Sequence, residues 1–258
     1  MIYEIRRGSV VAPLFEGWQE TMIWSCLQNV MGHLYAVSPE QPDSAMAILG
    51  DFCFFAGRPD RELVGYKPEW CRQDFIIMVP ETPEWGDLIE SVWQGRAKKV
   101  TRYAMKKETG VFSEEKLRCI VDSLSPEYCL KQIDRELFEL CGGIDWCRDL
   151  VSVFESYEQY AAKGLGVVAL RDGEVVAGAS SYTAYDGGIE IEIDTRPDFR
   201  RRGLASVCGA KLILECVGRG WYPSWDAQNL WSVSLAEKLG YHFSHEYTAY
   251  EIQGYHGC

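Results

Sequence analysis

Thr195-Arg196-Pro197-Asp198-Phe199-Arg200-Arg201-Arg202-Gly203-Leu204-Ala205 joins two runs of different period. Before it, Ile189-Glu190-Ile191-Glu192-Ile193-Asp194-Thr195 alternates apolar and polar residues, the pattern of a strand. After it, apolar residues at 204, 207, 208, 212 and 216 repeat at helical spacing up to Val217. A turn between such elements aims several backbone N–H groups at one spot, beside the positive end of a helix dipole. That arrangement binds phosphate. Gly203 has no Cβ and lets the backbone approach a ligand, and the three arginines add positive charge. The same residues also fit a solvated basic loop that caps a helix, and the loop alone does not choose between the two.

The residues downstream do choose. Arg200 to Ala205 resembles the pyrophosphate loop of the GNAT superfamily of acetyltransferases, R/Q-x-x-G-x-G/A. The superfamily's second signature is an Asn followed at fixed spacing by a small residue, a Tyr and a Gly-aromatic pair. Here Asn229 is followed by Ser232, Ala236, Gly240 and Tyr241. The gap between the signatures fits one helix and one strand. The resemblance covers about Leu124 to the C-terminus. In Ile189 to Ala205 and in Trp225 to Tyr241 it is nearest to the family that includes the zwittermicin A resistance acetyltransferase. It implies an α/β (α+β) acyl-CoA N-acyltransferase fold with a mixed, mostly antiparallel sheet. It further implies acetyl-CoA as cosubstrate and acetyl transfer to an amine.

Composition narrows the remaining classes. A chain of 258 residues suits one large domain or two small ones, and 47% hydrophobic content is enough for a full core. No apolar run approaches the roughly 20 residues of a membrane span. The N-terminus lacks a signal-peptide layout, so a cytoplasmic protein is expected. Ten cysteines, with no C-x-x-C pair, read as reduced thiols in apolar runs: Cys26, Cys53, Cys119, Cys208 and Cys216. Four scattered histidines give no metal-ligand spacing, and no metal is expected. The net charge of −12 argues against nucleic acid and favours a cationic substrate such as a small-molecule amine. Monomer and homodimer both remain open.

Residues 116–258 are expected to form the GNAT domain. Strands are predicted over 128–133, 165–170, 175–185, 189–195, 221–225 and 245–252, and helices over 134–141, 156–162, 204–217 and 230–239. Residues 1–115 are expected to form a smaller α+β domain, either a degenerate GNAT-like half or an unrelated one. There, 21–31 reads as a helix, 45–55 as one strand, and 75–79, 85–93 and 98–105 as strand, helix and strand. The linker is expected within 106–124, where Lys107-Glu108-Thr109-Gly110 gives a turn signal.

Acetyl transfer needs a held cofactor, a base for the amine, a donor for the thioester oxygen and a fate for the thiolate. The resemblance assigns the pantetheine arm to the backbone of Ile193, Asp194 and Thr195, with an N–H there as oxyanion donor. It assigns the pyrophosphate to Arg200, Arg201, Arg202, Gly203, Leu204 and Ala205. Asn229 and Ser232 are further cofactor contacts, although Asn229 also suits a plain N-cap. Glu190, Glu192 and Asp194 share one face of their strand, and Glu190 and Glu192 lead as the base. The superfamily's usual acid, a Tyr seven residues after the Asn, is replaced by Ala236. Ser232, Ser234, Tyr241 or water would then serve, with Ser234 favoured, or the thiolate would leave unprotonated. Tyr182, Trp225 and Trp231 suit either a substrate cleft or the core. The rival reading is a non-catalytic CoA- or ligand-binding sensor on the same scaffold.

Overall fold

The structure is a computed structural model and describes residues 1–256. The chain divides into two compact units, Met1–Arg102 with the segment from Glu246, and Tyr103–His245.

The first unit holds β1 (Tyr3–Glu4), α1 (Thr21–Leu27), β2 (His33–Ala36), β3 (Ser44–Leu49), β4 (Phe52–Gly57), α2 (Arg61–Gly65), β5 (Phe75–Pro80) and α3 (Pro83–Val92). β6 (Ala97–Met105) begins here and ends in the second unit. The stretch 45–55, expected as one strand, is a hairpin of two. Gly50 lies at φ 58°, a left-handed turn that a run of apolar residues on both sides conceals. β4 and β5 are parallel. Trp85, Ile89 and Trp93 lie on one side of α3, at helical spacing, and are fully buried with Phe55, Met78 and Ile252.

The second unit holds α4 (Glu114–Asp122), β7 (Cys129–Gln132), α5 (Arg135–Gly142), α6 (Tyr157–Lys163), β8 (Gly166–Arg171), β9 (Glu174–Tyr185), β10 (Gly188–Thr195), α7 (Leu204–Gly218), β11 (Tyr222–Ser224), β12 (Asp226–Ala227) and α8 (Leu230–Leu239). β13 (Phe243–Gln253) starts here and ends in the first unit. The expected linker therefore contains a helix, α4. Only Leu117 of α4 is buried, so its sequence carries little apolar signal. Its N-terminus is closed by Ser113 Oγ, which accepts from the Lys116 N–H.

The sheet of this unit runs β11-β10-β9-β8-β7. All its pairs are antiparallel except β10 with β11. α7 packs on β10 so closely that a Cβ on Gly209 would come within 3.1 Å of Ile193 Cδ1. Ile189 and Ile191 are buried. The opposite face meets a 3₁₀ turn at Arg148–Leu150, whose Leu150 Cδ1 would lie 2.6 Å from a Cβ on Gly178. Gly178 pairs with Asp194 across the ladder, so Asp194 looks toward this turn. Glu190 pairs with Thr183 but Ile191 with Ser181, so Tyr182 is an extra residue that bulges β9.

Among the ten cysteines, the nine that fall in the described residues are free thiols. Cys26, Cys53, Cys208 and Cys216 are buried as expected, whereas Cys119 is exposed on the outer face of α4. Cys258 lies outside the described residues.

β10 and β11 approach closely at Gly188, where a Cβ would strike the Tyr222 carbonyl oxygen and the Tyr185 ring. Gly188→Ala must push the strands apart. It is expected to lower stability by about 2–3 kcal/mol, the range for overpacking a close backbone contact. Urea denaturation against wild type measures this, and an unchanged midpoint would contradict the tight parallel pair.

Candidate active site

β11 pairs with β10 for three residues only: Gly188 with Tyr222, Ile189 with Pro223 and Glu190 with Ser224. β10 continues to Thr195, paired with β9 alone. Among the described residues no strand lies beside its other edge from Ile191 to Thr195, so alternate backbone N–H and C=O groups there face away from β9. One of them shows its present partner. The Ile193 N–H donates to the Glu192 carboxylate at 3.1 Å, a bond within the same strand.

This open edge leads into the arginine loop. A 3₁₀ turn, Pro197–Phe199, is followed by Arg201 at φ 62° and Gly203 at φ 82°, both left-handed. Gly203 is the N-cap of the 15-residue α7 and gives it no side-chain cap. The other α-helices of this unit are each closed by a side-chain oxygen, from Ser113, Asp134, Ser156 and Asn229. The first-turn N–H groups of α7, at Leu204 and Ala205, keep the helix dipole's positive end available to an external anion.

The three arginines have different surroundings. Arg202 lies over the Phe199 ring and bonds the Asp198 carbonyl and the Tyr128 hydroxyl. Arg200 donates Nε–H to the Thr195 carbonyl at 3.3 Å. Arg201 reaches over Trp231.

The carboxylates of β10 are not alike either. Glu190 is only 5% exposed, and its charge raises the phenol pKa values of Tyr185, Tyr222 and Tyr241 after the larger effect of their own burial. Glu192 holds Ile193 as above. Burial pushes the Asp194 carboxyl up to about 6, the Asp149 charge adds to this, and Arg200 opposes it. Asp149 belongs to the 3₁₀ turn against this face. No sequence spacing marks that neighbour, because a single turn about 45 residues upstream brings it there.

α8 places its own candidates differently. Asn229 caps the helix, its Oδ1 accepting from the Ser232 N–H at 3.0 Å. Ser232 Oγ accepts from Trp225 Nε1–H at 3.0 Å. Ser234 donates to the Leu230 carbonyl at 3.0 Å. Ala236 is fully buried. The Tyr241 hydroxyl is buried and donates to the Pro223 carbonyl at 2.6 Å. Tyr182 and Trp225 are buried, while Trp231 is exposed. Among the described residues no group of His, Cys, Asp and Glu could hold a metal ion, and no helix is long and apolar enough to cross a membrane.

A profile of the GNAT acetyltransferase family covers residues 12–250. The chain belongs to the GNAT acetyltransferase family. A GCN5-related N-acetyltransferase-like protein from Streptococcus suis has a solved structure that is 47% identical, with a TM-score of 0.90 over 95% of this chain and 98% of that one. The Bacillus subtilis protein named uncharacterized N-acetyltransferase YdfB is 25% identical over 240 residues, 89% of each chain. A tandem GNAT protein from the clavulanic acid biosynthesis pathway shares the fold at 9% identity and a TM-score of 0.53 over 98% of this chain and 99% of that one. The family's chemistry is acetyl transfer from an acyl-CoA.

The folded-state pKa of Asp194 lies above that of an unfolded aspartate, so ionising it works against folding. Its contribution is fully present below about pH 4 and is lost as pH rises through about 6. Asp194→Asn keeps a neutral side chain of the same shape. It is expected to match wild type near pH 4 and to be more stable by roughly 2 kcal/mol at pH 8. Thermal melts of both proteins from pH 4 to 8 check this, and parallel profiles would refute the raised value.

Proposed function

We propose that the chain transfers the acetyl group of acetyl-CoA to the amine of a small molecule in the cytoplasm. One observation carries this reading: the open edge of β10 leads directly into the uncapped N-terminus of α7. An extended amide-bearing arm pairs with a free strand edge, and a pyrophosphate takes the N–H groups of a helix start. Both ends of the cofactor thus meet groups of matching chemistry along one line of chain. The loop is also roomy where phosphate oxygens must come near, since nothing lies within 4 Å of where a Gly203 Cβ would stand.

Bound acetyl-CoA supplies an activated thioester carbonyl. In this reading the Ile193 N–H donates to the carbonyl oxygen as it gains charge. The Glu192 carboxylate holds that N–H now, so it must leave when the oxygen takes its place. Its release yields a carboxylate beside the reacting centre, able to take the amine proton directly. Glu190, deeper in the sheet, does so through water. The acidic face of Glu192, Asp194 and Asp149 attracts a cationic amine before that proton is lost. For the leaving thiolate, Ser234 must first give up its bond to Leu230, and Tyr241 its bond to Pro223. Water is the donor that disrupts least.

The zwittermicin-type resemblance supports an amino-bearing antibiotic or metabolite as acceptor. We read the second unit as the catalytic domain, with bounds Tyr103–His245 in place of the expected 116–258, and the first unit as a second domain. The order β5-α3-β6 supports a degenerate GNAT-like origin for it.

A β-branched residue at φ 82° would strain the loop and confuse the test, so Gly203→Asn is the better probe. Asn tolerates left-handed backbone, and its side chain fills the space above the loop. CoA affinity is expected to fall at least tenfold, about 1.4 kcal/mol, with an unchanged melting temperature. Calorimetric titration decides it, and undiminished affinity would remove the phosphate-loop assignment.

Glu192→Gln and Glu190→Gln are expected to bind acetyl-CoA normally and to slow acetylation by about 10²-fold or more for the residue acting as base. The pH-rate profile of that variant should lose its acidic limb. Wild-type rates in both single variants and the double variant would place the base elsewhere. A wild type that binds CoA but acetylates no amine in a broad panel would favour the sensor.

A further inference from the structure

Leu230 and Trp231 open α8 with 62% and 77% of their surfaces exposed. A water-facing indole is a large apolar surface with a polar edge, of the kind proteins keep for binding flat ligands. The Arg201 guanidinium lies over the Trp231 ring, its carbon 5.7 Å from the ring centroid. Arg201 is two residues ahead of Gly203, inside the loop read above as the pyrophosphate site. The indole therefore borders that loop.

We propose that Trp231 is the stacking platform for the adenine of CoA. The inference rests on the pyrophosphate reading and adds to it a named contact for the nucleotide end. In CoA the adenosine is attached to the pyrophosphate through one ribose carbon. A base so tethered falls about one sugar's length from the phosphates, so its platform must flank the phosphate loop, as Trp231 does. The guanidinium above the indole shows that the ring face is open to a flat, electron-poor partner. A purine has the same shape and competes for the same face. When the base takes it, Arg201 is released beside the phosphates it can pair with. The charge fits as well. The loop is a local basic run in a chain of net charge −12, and CoA is a polyanion. A protein partner fits poorly, because two exposed side chains fall far short of the roughly 1,000 Å² of a stable interface.

The test compares Trp231→Ala, Trp231→Phe and wild type in calorimetric titrations with CoA, dephospho-CoA and 4′-phosphopantetheine. The last lacks the adenosine but keeps the arm and a phosphate. Trp231→Ala should bind CoA and dephospho-CoA about tenfold more weakly and 4′-phosphopantetheine as wild type does. Trp231→Phe should keep most of the affinity. CoA should quench part of the wild type's tryptophan fluorescence, and that part should be missing in Trp231→Phe. Equal CoA affinity in Trp231→Ala and wild type would overturn the platform while leaving the pyrophosphate reading intact. An equal loss for all three ligands would overturn it in favour of a merely structural role. A wild type that binds none of them would overturn both. A concentration-dependent dimer abolished in Trp231→Ala, with CoA affinity unchanged, would make the patch a contact between copies instead.

Discussion

Backbone hydrogen bonding sets the main constraint on this molecule. β10 lies in a sheet where each N–H and C=O needs a partner, yet β11 stays beside it for three residues only. The groups beyond Glu190 on that edge need something else. Ile193 has taken the nearest available acceptor, the side chain of its own neighbour Glu192. Other features of the second unit are arranged around this edge. Gly188 lets the strands meet tightly before they part, α7 braces the isoleucine face, and the arginine loop begins where the strand ends.

The same edge explains why chemistry would concentrate on β10. One face of the strand is apolar and packed on α7, so its polar residues all look the other way. Asp194 among them looks toward a 3₁₀ turn that brings a further carboxylate, Asp149, near it. Burial makes ionisation difficult there and the Asp149 charge adds to it, so the Asp194 carboxyl is pushed up to about 6.

Much of the second unit was legible in the sequence because its periods are clean. The bounds of α8 match the expected run of 230–239, and β8, β9, β10 and α7 fall within a residue of expectation. Patterns with weak contrast were not legible. α4 hid because one residue of nine is buried, and the β3–β4 hairpin hid because apolar residues continue through its turn. For the candidate site, sequence located the carboxylates and the loop but not their differences. Nothing in Arg200-Arg201-Arg202 says that one arginine lies on Phe199 while another lies over Trp231. Nor could spacing show that the hydroxyls of Ser234 and Tyr241 are already bound to backbone carbonyls. Such differences arise from tertiary contacts.

The path of β13 has a consequence for how the chain is made. In strand order it lies between β5 and β6, and Tyr250 and Ile252 pair with Met78 and Ile76. An inner strand of the first unit is therefore synthesised only after the whole second unit. While a ribosome is still translating residues 103–245, the sheet of the first unit has a gap beside β5, an edge of buried apolar residues without its neighbour. Vectorial folding, with the N-terminal half finished first, is thus closed to this topology. The early strands must wait as an open sheet until β13 arrives, and a truncation before Glu246 would leave the first unit, not the second, incomplete.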